Sequence, residues 1–348
     1  MFLTKRYKLD AAYGVAAFQI SNLTNSIGGT ISGSTGTGDA YGVSAGSAGL
    51  ISNAGAITGS VASGAGFAYG VGASTTASIT NTGSASAISG TANGTGAAYG
   101  VYAGSGAATI NSNAGTIFGS AASGAAYGVY GDTIITPANI VVTSNAGDIH
   151  GSSSGSGDGA GLYAAGSSVA IGNNTGAISG TSLSGRAFGV FASTYATLTA
   201  NSGTISGSNT STGGANDAYG LAAWSNAATV TANTGTISAS TAGAGAAYAI
   251  YGDTSTSIDN GVAGIIRATT TGSGASSGVY AGSSTISGLE AFALPGATLA
   301  HRASPLASAA IFYQIDRNQR LTGNVSVRGQ AFSSQPSISA MGGYQAAF

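Results

Sequence analysis

Ten times along this chain a short motif returns: an aromatic or small residue, then glycine, then an aliphatic residue. It reads Tyr13-Gly14-Val15, Tyr41-Gly42-Val43, Tyr69-Gly70-Val71, Tyr99-Gly100-Val101 and Tyr127-Gly128-Val129. It goes on as Ala160-Gly161-Leu162, Phe188-Gly189-Val190, Tyr219-Gly220-Leu221, Tyr248-Ala249-Ile250 and Ser277-Gly278-Val279. The first positions are separated by 28, 28, 30, 28, 33, 28, 31, 29 and 29 residues. The third position is Val, Leu or Ile all ten times, and the middle one is Gly in nine. A period of about 29 residues is the range of stacked repeat architectures.

The full unit is clearest at Asp39–Ser60, DAYGVSAGSAGLISNAGAITGS, where three apolar beats fall at Tyr41–Val43, Leu50–Ile51 and Ile57. The second beat recurs before a turn, as in Ile79-Thr80-Asn81, Leu198-Thr199-Ala200-Asn201 and Val230-Thr231-Ala232-Asn233. The third follows as Asn-x-Gly-x-Ile, at Asn53/Gly55/Ile57, Asn113/Gly115/Ile117, Asn145/Gly147/Ile149, Asn174/Gly176/Ile178, Asn201/Gly203/Ile205 and Asn233/Gly235/Ile237. After Asn81 the isoleucine slips to Ile88, which predicts an insertion in that turn, and the last repeat, Ile258 to Arg267, has lost most of the signature. Each beat is too short for a helix, rich in β-branched residues and bounded by turn formers. Three such strands per coil predict an all-β fold, a parallel β-helix solenoid of about ten coils over residues 10–285. At the strand spacing of about 4.8 Å, ten coils extend roughly 48 Å. One Val and one Ile from each coil are expected to stack into aliphatic ladders inside. Asn at the corner suits a left-handed or tight turn, and its side-chain amide is expected to bond the Asn of the next coil. Gly two residues on permits positive φ or a close turn.

Composition supports order without pointing to a ligand. The 348 residues include 60 Gly and 4 Pro, below the fraction of a structureless low-complexity chain, and the net charge of −1 lacks the repulsion typical of disorder. With no Cys there is neither a disulfide framework nor thiolate chemistry. With nine Lys and Arg there is no basic patch for nucleic acid, and no run of 18 apolar residues marks a membrane helix. Residues 1–9, MFLTKRYKL, carry basic residues without the apolar stretch of a secretory signal, so a signal is expected upstream or export by another route.

Beyond Ser284 the register dissolves. Residues 286–308 read as a linker or cap. Residues 309–348 read as longer antiparallel strands, in which Leu321–Arg328 and Ser337–Phe348 alternate apolar with polar. These resemble the roughly ten-residue alternating segments of an outer-membrane barrel. Between Ala303 and Phe348 there is room for about four strands, against eight in the smallest single-chain barrels.

Tyr-Gly-Val, then Ile-Thr-Asn, then Gly-Thr-Ile-Ser-Gly, recurring from about Asp10 to Arg267, resembles the passenger repeats of Gram-negative autotransporter proteins. Phe348 at the terminus, with Gly343 and Tyr344 before it, is similar to the final-strand signal of outer-membrane barrels. The resemblance implies a right-handed β-helix at the cell surface or outer membrane, acting in adhesion, self-association or biofilm formation. The partners it implies are a glycan, a host matrix or a second copy, with the outer membrane reached through the C-terminal strands.

Residues suited to chemistry are sparse. Glycoside hydrolysis needs two carboxylates about 5 to 9 Å apart. Asp132 with Asp148, or Asp253 with Asp259, are the pairs that coil neighbourhood permits, and neither has a base or Arg beside it. His150 and His301 are the only histidines, and no metal-ligand spacing is present. His150 is expected at a solvent-facing corner. Asp39, Asp158 and Asp217 precede the Tyr position by two residues, and the glycine pattern of calcium-binding nonapeptides around them is incomplete. They are expected to be solvated loop acids. The expectation is a non-enzymatic protein without a cofactor. The alternatives are a polysaccharide-degrading β-helix and an ice-binding one; for the latter Thr75-Thr76, Thr197/Thr199 and Thr229/Thr231 form no column spanning the coils.

One feature suggests a surface. If Val of Tyr-Gly-Val points inward, strict alternation sends Gly and the residue after Val outward. That following residue is Tyr102, Tyr130, Tyr163 and Phe191 in four successive coils, then Tyr251 and Tyr280. These six are the candidate surface column, to stack on sugars or pack against another rod, or else to seal a corner.

Overall fold

The computed structural model describes residues 11–132 and 139–287, and the backbone of strands Leu306–Asp316, Gln319–Arg328 and Ser337–Ala346. The expected N-terminal extension, residues 1–9, lies outside the described residues, as does most of the expected linker or cap at 286–308. Two compact units divide the chain, Met1–Ser284 and Thr285–Phe348.

The first unit is a parallel β-solenoid. Each coil contributes one strand to each of three faces. Ala68–Ala73, Ala98–Ala103 and Ala126–Gly131 are typical of the first face, Ala108–Asn113 and Ile140–Asn145 of the second, and Ala87–Ala92 and Thr116–Ala121 of the third. Near the two ends the first and second beats run together as single strands, Ala12–Asn25, Ala40–Asn53 and Ala247–Asn260. This joins two faces into one 16-stranded sheet, while the third face is a separate sheet of nine. Successive coils pair residue for residue: Tyr69 with Tyr99, Ile79 with Ile110, Ile88 with Ile117. Among the described residues no helix is long and apolar enough to cross a membrane, which does not bear on strands.

The interior holds three aliphatic ladders, one more than the sequence suggested. Val43, Val71, Val101, Val129, Leu162, Val190, Leu221 and Ile250 line the first face. Ile51, Ile79, Ile110, Val142, Ile171, Leu198, Val230 and Ile258 line the second, and Ile57, Ile88, Ile117, Ile149, Ile178, Ile205 and Ile237 the third. All are buried, each contributing about 1.5–3 kcal/mol of apolar transfer, and every one packs on its counterparts in neighbouring coils.

Strict alternation fails at the Tyr-Gly-Val strand, and this corrects the expectation that Gly points outward. In Ala98–Ala103 the burial order is in, out, in, in, out, in, so Gly100 and Val101 both face the interior. The ladder pairing skips Gly at this point, as at a bulge. A Cβ on Gly100 would sit 2.8 Å from Ile117 Cγ2 of the third face, so glycine lets the two sheets approach this closely, with Ala249 buried at the same position in the Tyr248-Ala249-Ile250 coil. The local bend leaves the residues on either side, Tyr99 and Tyr102, both outside.

The Asn column forms as expected. Asn25, Asn53, Asn81, Asn113, Asn145, Asn174, Asn201, Asn233 and Asn260 are all buried. Each Nδ2 donates to Oδ1 of the next, in eight hydrogen bonds of 2.7–2.9 Å. Most amides also donate to backbone carbonyls at the turn, as Asn53 does to Gly55 O at 3.0 Å and Ala87 O at 3.1 Å. The glycine after the corner serves closeness, not positive φ, which among the described glycines occurs only at Gly28, Gly64 and Gly166. A Cβ on Gly55 would lie 2.7 Å from Ser26 O and 2.9 Å from Asn25 Nδ2. The insertion after Asn81 is taken up within the turn: Ser86 replaces the glycine, its carbonyl accepting Thr116 N at 2.9 Å, and Ile88 regains register. The last repeat keeps the geometry that its sequence had blurred, since Asn260 ends the ladder and Ile266 pairs with Ile237.

In the second unit, Leu306–Asp316 pairs antiparallel with Gln319–Arg328, and that strand with Ser337–Ala346.

Candidate functional site

The bend at Gly-Val builds a wall of rings on the first face. Its first column is the Tyr of Tyr-Gly-Val. Tyr13, Tyr41, Tyr69, Tyr99 and Tyr127 stack with centroids 4.5–5.5 Å apart and ring planes within 24° of parallel. Phe188, Tyr219 and Tyr248 continue it at 5.1 and 5.3 Å. The second column is the one expected from sequence. Tyr102, Tyr130 and Tyr163 are spaced 5.6 Å apart and within 5° of parallel, Tyr163 stacks on Phe191 at 4.4 Å, and Tyr251 on Tyr280 at 5.0 Å. The two columns interlock edge to face, as at Tyr99 with Tyr102 (73°) and Tyr248 with Tyr251 (71°).

Each column has one gap, and each is filled. Ala160 interrupts the first, and Tyr163 leans across to touch Tyr127 at 5.0 Å and Phe188 at 6.0 Å. Ala222 interrupts the second, and Trp224 packs against Phe191, Tyr219 and Tyr251 at 5.7–5.8 Å. The Arg186 guanidinium lies 5.5 Å over Phe188 and 5.7 Å over Trp224, held by Asp158 Oδ2 at 3.0 Å.

Of the six expected surface rings, Tyr102, Tyr130, Tyr163 and Tyr251 are half-buried, Phe191 is buried at 6% exposure and Tyr280 is exposed at 47%. Within the first column Tyr127, Phe188 and Tyr219 are buried, and the exposed rings of the wall include Tyr13, Trp224 and Tyr280, at 40–47%. Burial, and secondarily the nearby carboxylates of Asp39 and Asp132, push the phenols of Tyr41 and Tyr102 up to about 12. Burial likewise raises Tyr69, Tyr99, Tyr127, Tyr130 and Tyr219, so these phenols keep their protons well into the alkaline range.

The acids have structural partners. Asp39 Oδ1 accepts Phe67 N at 2.8 Å, Asp158 Oδ1 accepts Arg186 N at 2.8 Å, and Asp217 Oδ1 accepts Ala246 N at 2.7 Å. Each caps the backbone of the following coil. Asp132 accepts the Tyr102 hydroxyl at 3.1 Å on the first face, whereas Asp148 opens a strand of the third face beside His150 Nδ1 at 3.0 Å, which corrects the expectation that no base stands beside it. His150 lies mid-strand, half-buried and stacked on Phe118 at 5.2 Å, which corrects its expected place at a solvent-facing corner. Among the described residues no three His, Asp or Glu are grouped to hold a metal, and His301 lies outside them.

Two features escaped the sequence reading. The first-column tyrosines are outer residues because of the bend, which no alternation rule predicts. The third face carries an unbroken outer column of hydroxyls, in register from Ser34 and Ser60 to Ser240 and Thr269. The parallel column beside it is interrupted by Phe118, His150 and Arg267. Thr197/Thr199 and Thr229/Thr231 lie on strands of the second face, with Thr197 paired to Thr229, and in the preceding coil the positions are Ala170 and Gly172. Comparison with family models, curated proteins and solved structures returns no match. The fold and wall define a parallel β-solenoid with an external aromatic ladder.

Proposed function

We propose that this chain is a non-catalytic, autotransporter-type protein of the Gram-negative cell surface, whose solenoid acts in adhesion by packing laterally against another rod. The observation that carries this is the aromatic wall. It runs through every coil, its ring faces are largely occupied by one another, and Tyr13, Trp224 and Tyr280 are exposed along it. Such a surface favours a flat protein partner over a sugar that needs a free ring face. A net charge of −1 leaves little repulsion between copies. The C-terminal antiparallel strands fit the role of a membrane anchor on the resemblance noted above.

The test is settling of bacteria that display the full chain. Trp224→Glu with Tyr280→Glu, at exposed rings of the wall, slows aggregation in low salt. Ser34→Glu with Thr58→Glu, on the third face, leaves it unchanged. Equal aggregation by both variants overturns the assignment to the wall.

The hydroxyl column on the third face favours a second reading, ice binding, for which a flat uncharged hydroxyl array is suited. Absence of thermal hysteresis in the purified chain removes it.

A further inference from the structure

A continuous path of rings crosses the solenoid. From Tyr13 it runs through Tyr41, Tyr69, Tyr99, Tyr102, Tyr130, Tyr163, Phe191, Trp224 and Tyr251 to Tyr280. Every step lies between 4.4 and 5.8 Å, centroid to centroid. Every tyrosine of the described solenoid except Tyr195 makes a ring contact in this network, as does Trp224, the one tryptophan of the chain. The other easily oxidised side chains are scarce, with no Cys and Met only at positions 1 and 341. Three wall phenols already direct their protons at carboxylates: Tyr102 to Asp132 at 3.1 Å, Tyr219 to Asp217 at 3.0 Å and Tyr251 to Asp253 at 3.5 Å.

We propose that the aromatic wall is a relay for one-electron oxidation, along which a radical formed at Trp224 or any wall phenol passes from ring to ring toward the exposed Tyr13 and Tyr280. This goes beyond adhesion and does not depend on it. The co-reactant is a one-electron oxidant from outside, of the class of small inorganic radicals. Such a radical takes one electron from Trp224, which is 40% exposed, becomes its anion, and the indole N–H proton leaves to solvent. In the next step Tyr219 gives an electron to the indolyl radical and its O–H proton to Asp217, while the indole nitrogen recovers a proton from water. The products are a tyrosyl radical and intact Trp224, so electrons and protons balance. Later steps repeat the exchange between neighbouring phenols. Phe188 and Phe191 resist oxidation and act as spacers, each one ring thick.

Pulse radiolysis of the full chain with the azide radical at neutral pH, which oxidises indole in preference to neutral phenol, tests this. The indolyl signal is expected to decay with an equal rise of phenoxyl signal, at a rate that does not change on dilution. Tyr219→Phe with Tyr251→Phe keeps the rings but removes both phenols that touch Trp224, and slows the step severalfold. Adding Phe191→Tyr restores it, because that position also touches Trp224 and follows Tyr163 in the same column. A decay that slows with dilution in the native chain, or a rate untouched by the double substitution, overturns the relay.

Discussion

Asn113 and Asn145 stand 32 residues apart and share a 2.8 Å hydrogen bond from Nδ2 to Oδ1, with both side chains closed off from solvent. Asn145 in turn donates to Asn174 Oδ1 at 2.8 Å and to the carbonyls of Gly147 and Ala177 at 3.2 Å. A buried amide so fully engaged is costly to remove, because its partners lose hydrogen bonds that water cannot replace. Asn145→Ala is expected to lower the unfolding free energy by about 1–3 kcal/mol in a urea titration. Asn145→Asp is expected to be worse at neutral pH. Its carboxylate would be desolvated and would face three oxygens, so its folded pKa rises above the unfolded value near 3.9. The folded state then takes up the proton more readily, so this variant regains stability as pH falls, the reverse of a paired carboxylate.

Close approach of the first and third faces makes a second prediction. A Cβ on Gly42 would lie 2.7 Å from both Ile57 Cγ2 and Gly70 O, whereas one on Gly36 meets nothing within 4 Å. Gly42→Ala is expected to cost about 1–3 kcal/mol by overpacking. Gly36→Ala is expected to leave stability unchanged or raise it by up to about 1 kcal/mol, through a less flexible unfolded chain. Thermal unfolding of the two variants side by side checks the pair.

Raised phenols set the alkaline limit. Tyr41 and Tyr102, pushed up to about 12 by burial and by Asp39 and Asp132, hold their protons in the folded state where the unfolded chain, near 10, has lost them. Their contribution is complete below pH 10 and disappears as pH rises toward the folded values. Chemical unfolding midpoints are therefore expected to be flat from pH 7 to about 9.5 and to fall steeply above about pH 10.

Calcium is expected to have no effect. Asp39, Asp158 and Asp217 each spend an oxygen on a backbone N–H of the next coil, and Asp158 a second on Arg186. A ligand that bound there would raise the melting temperature by mass action. Scans with calcium and with a chelator should superimpose. Asp158→Ala, which removes the cap, should lower the melting temperature in both.

Much of this structure was readable from Tyr41-Gly42-Val43, Asn53 and Ile57, because a solenoid repeats one decision many times. Recurrence separates the interior column from noise even when each motif consists of common small residues. Ile88, displaced by an insertion, was placed correctly because its successor Ile117 returns on schedule. The wall was half legible. Tyr102 and Tyr130 were expected outside, while the bend that also sets Tyr99 outside depends on a contact between Gly100 and Ile117 in different sheets. Local alternation contains no information about that contact. Trp224 was invisible for a similar reason: from the bend just after the strand Ala218–Ala223 it fills the place left by Ala222, only because of the rings in adjacent coils.

The asparagine column has one more consequence. All eight links run in the same sense, each Nδ2 donating toward the following coil. Carboxamide dipoles arranged in this way add instead of cancelling, as peptide dipoles do along a helix. The solenoid thus carries an electrical arrow through its interior that does not depend on ionised groups, and its two ends are distinguishable to an approaching charge even at zero net charge.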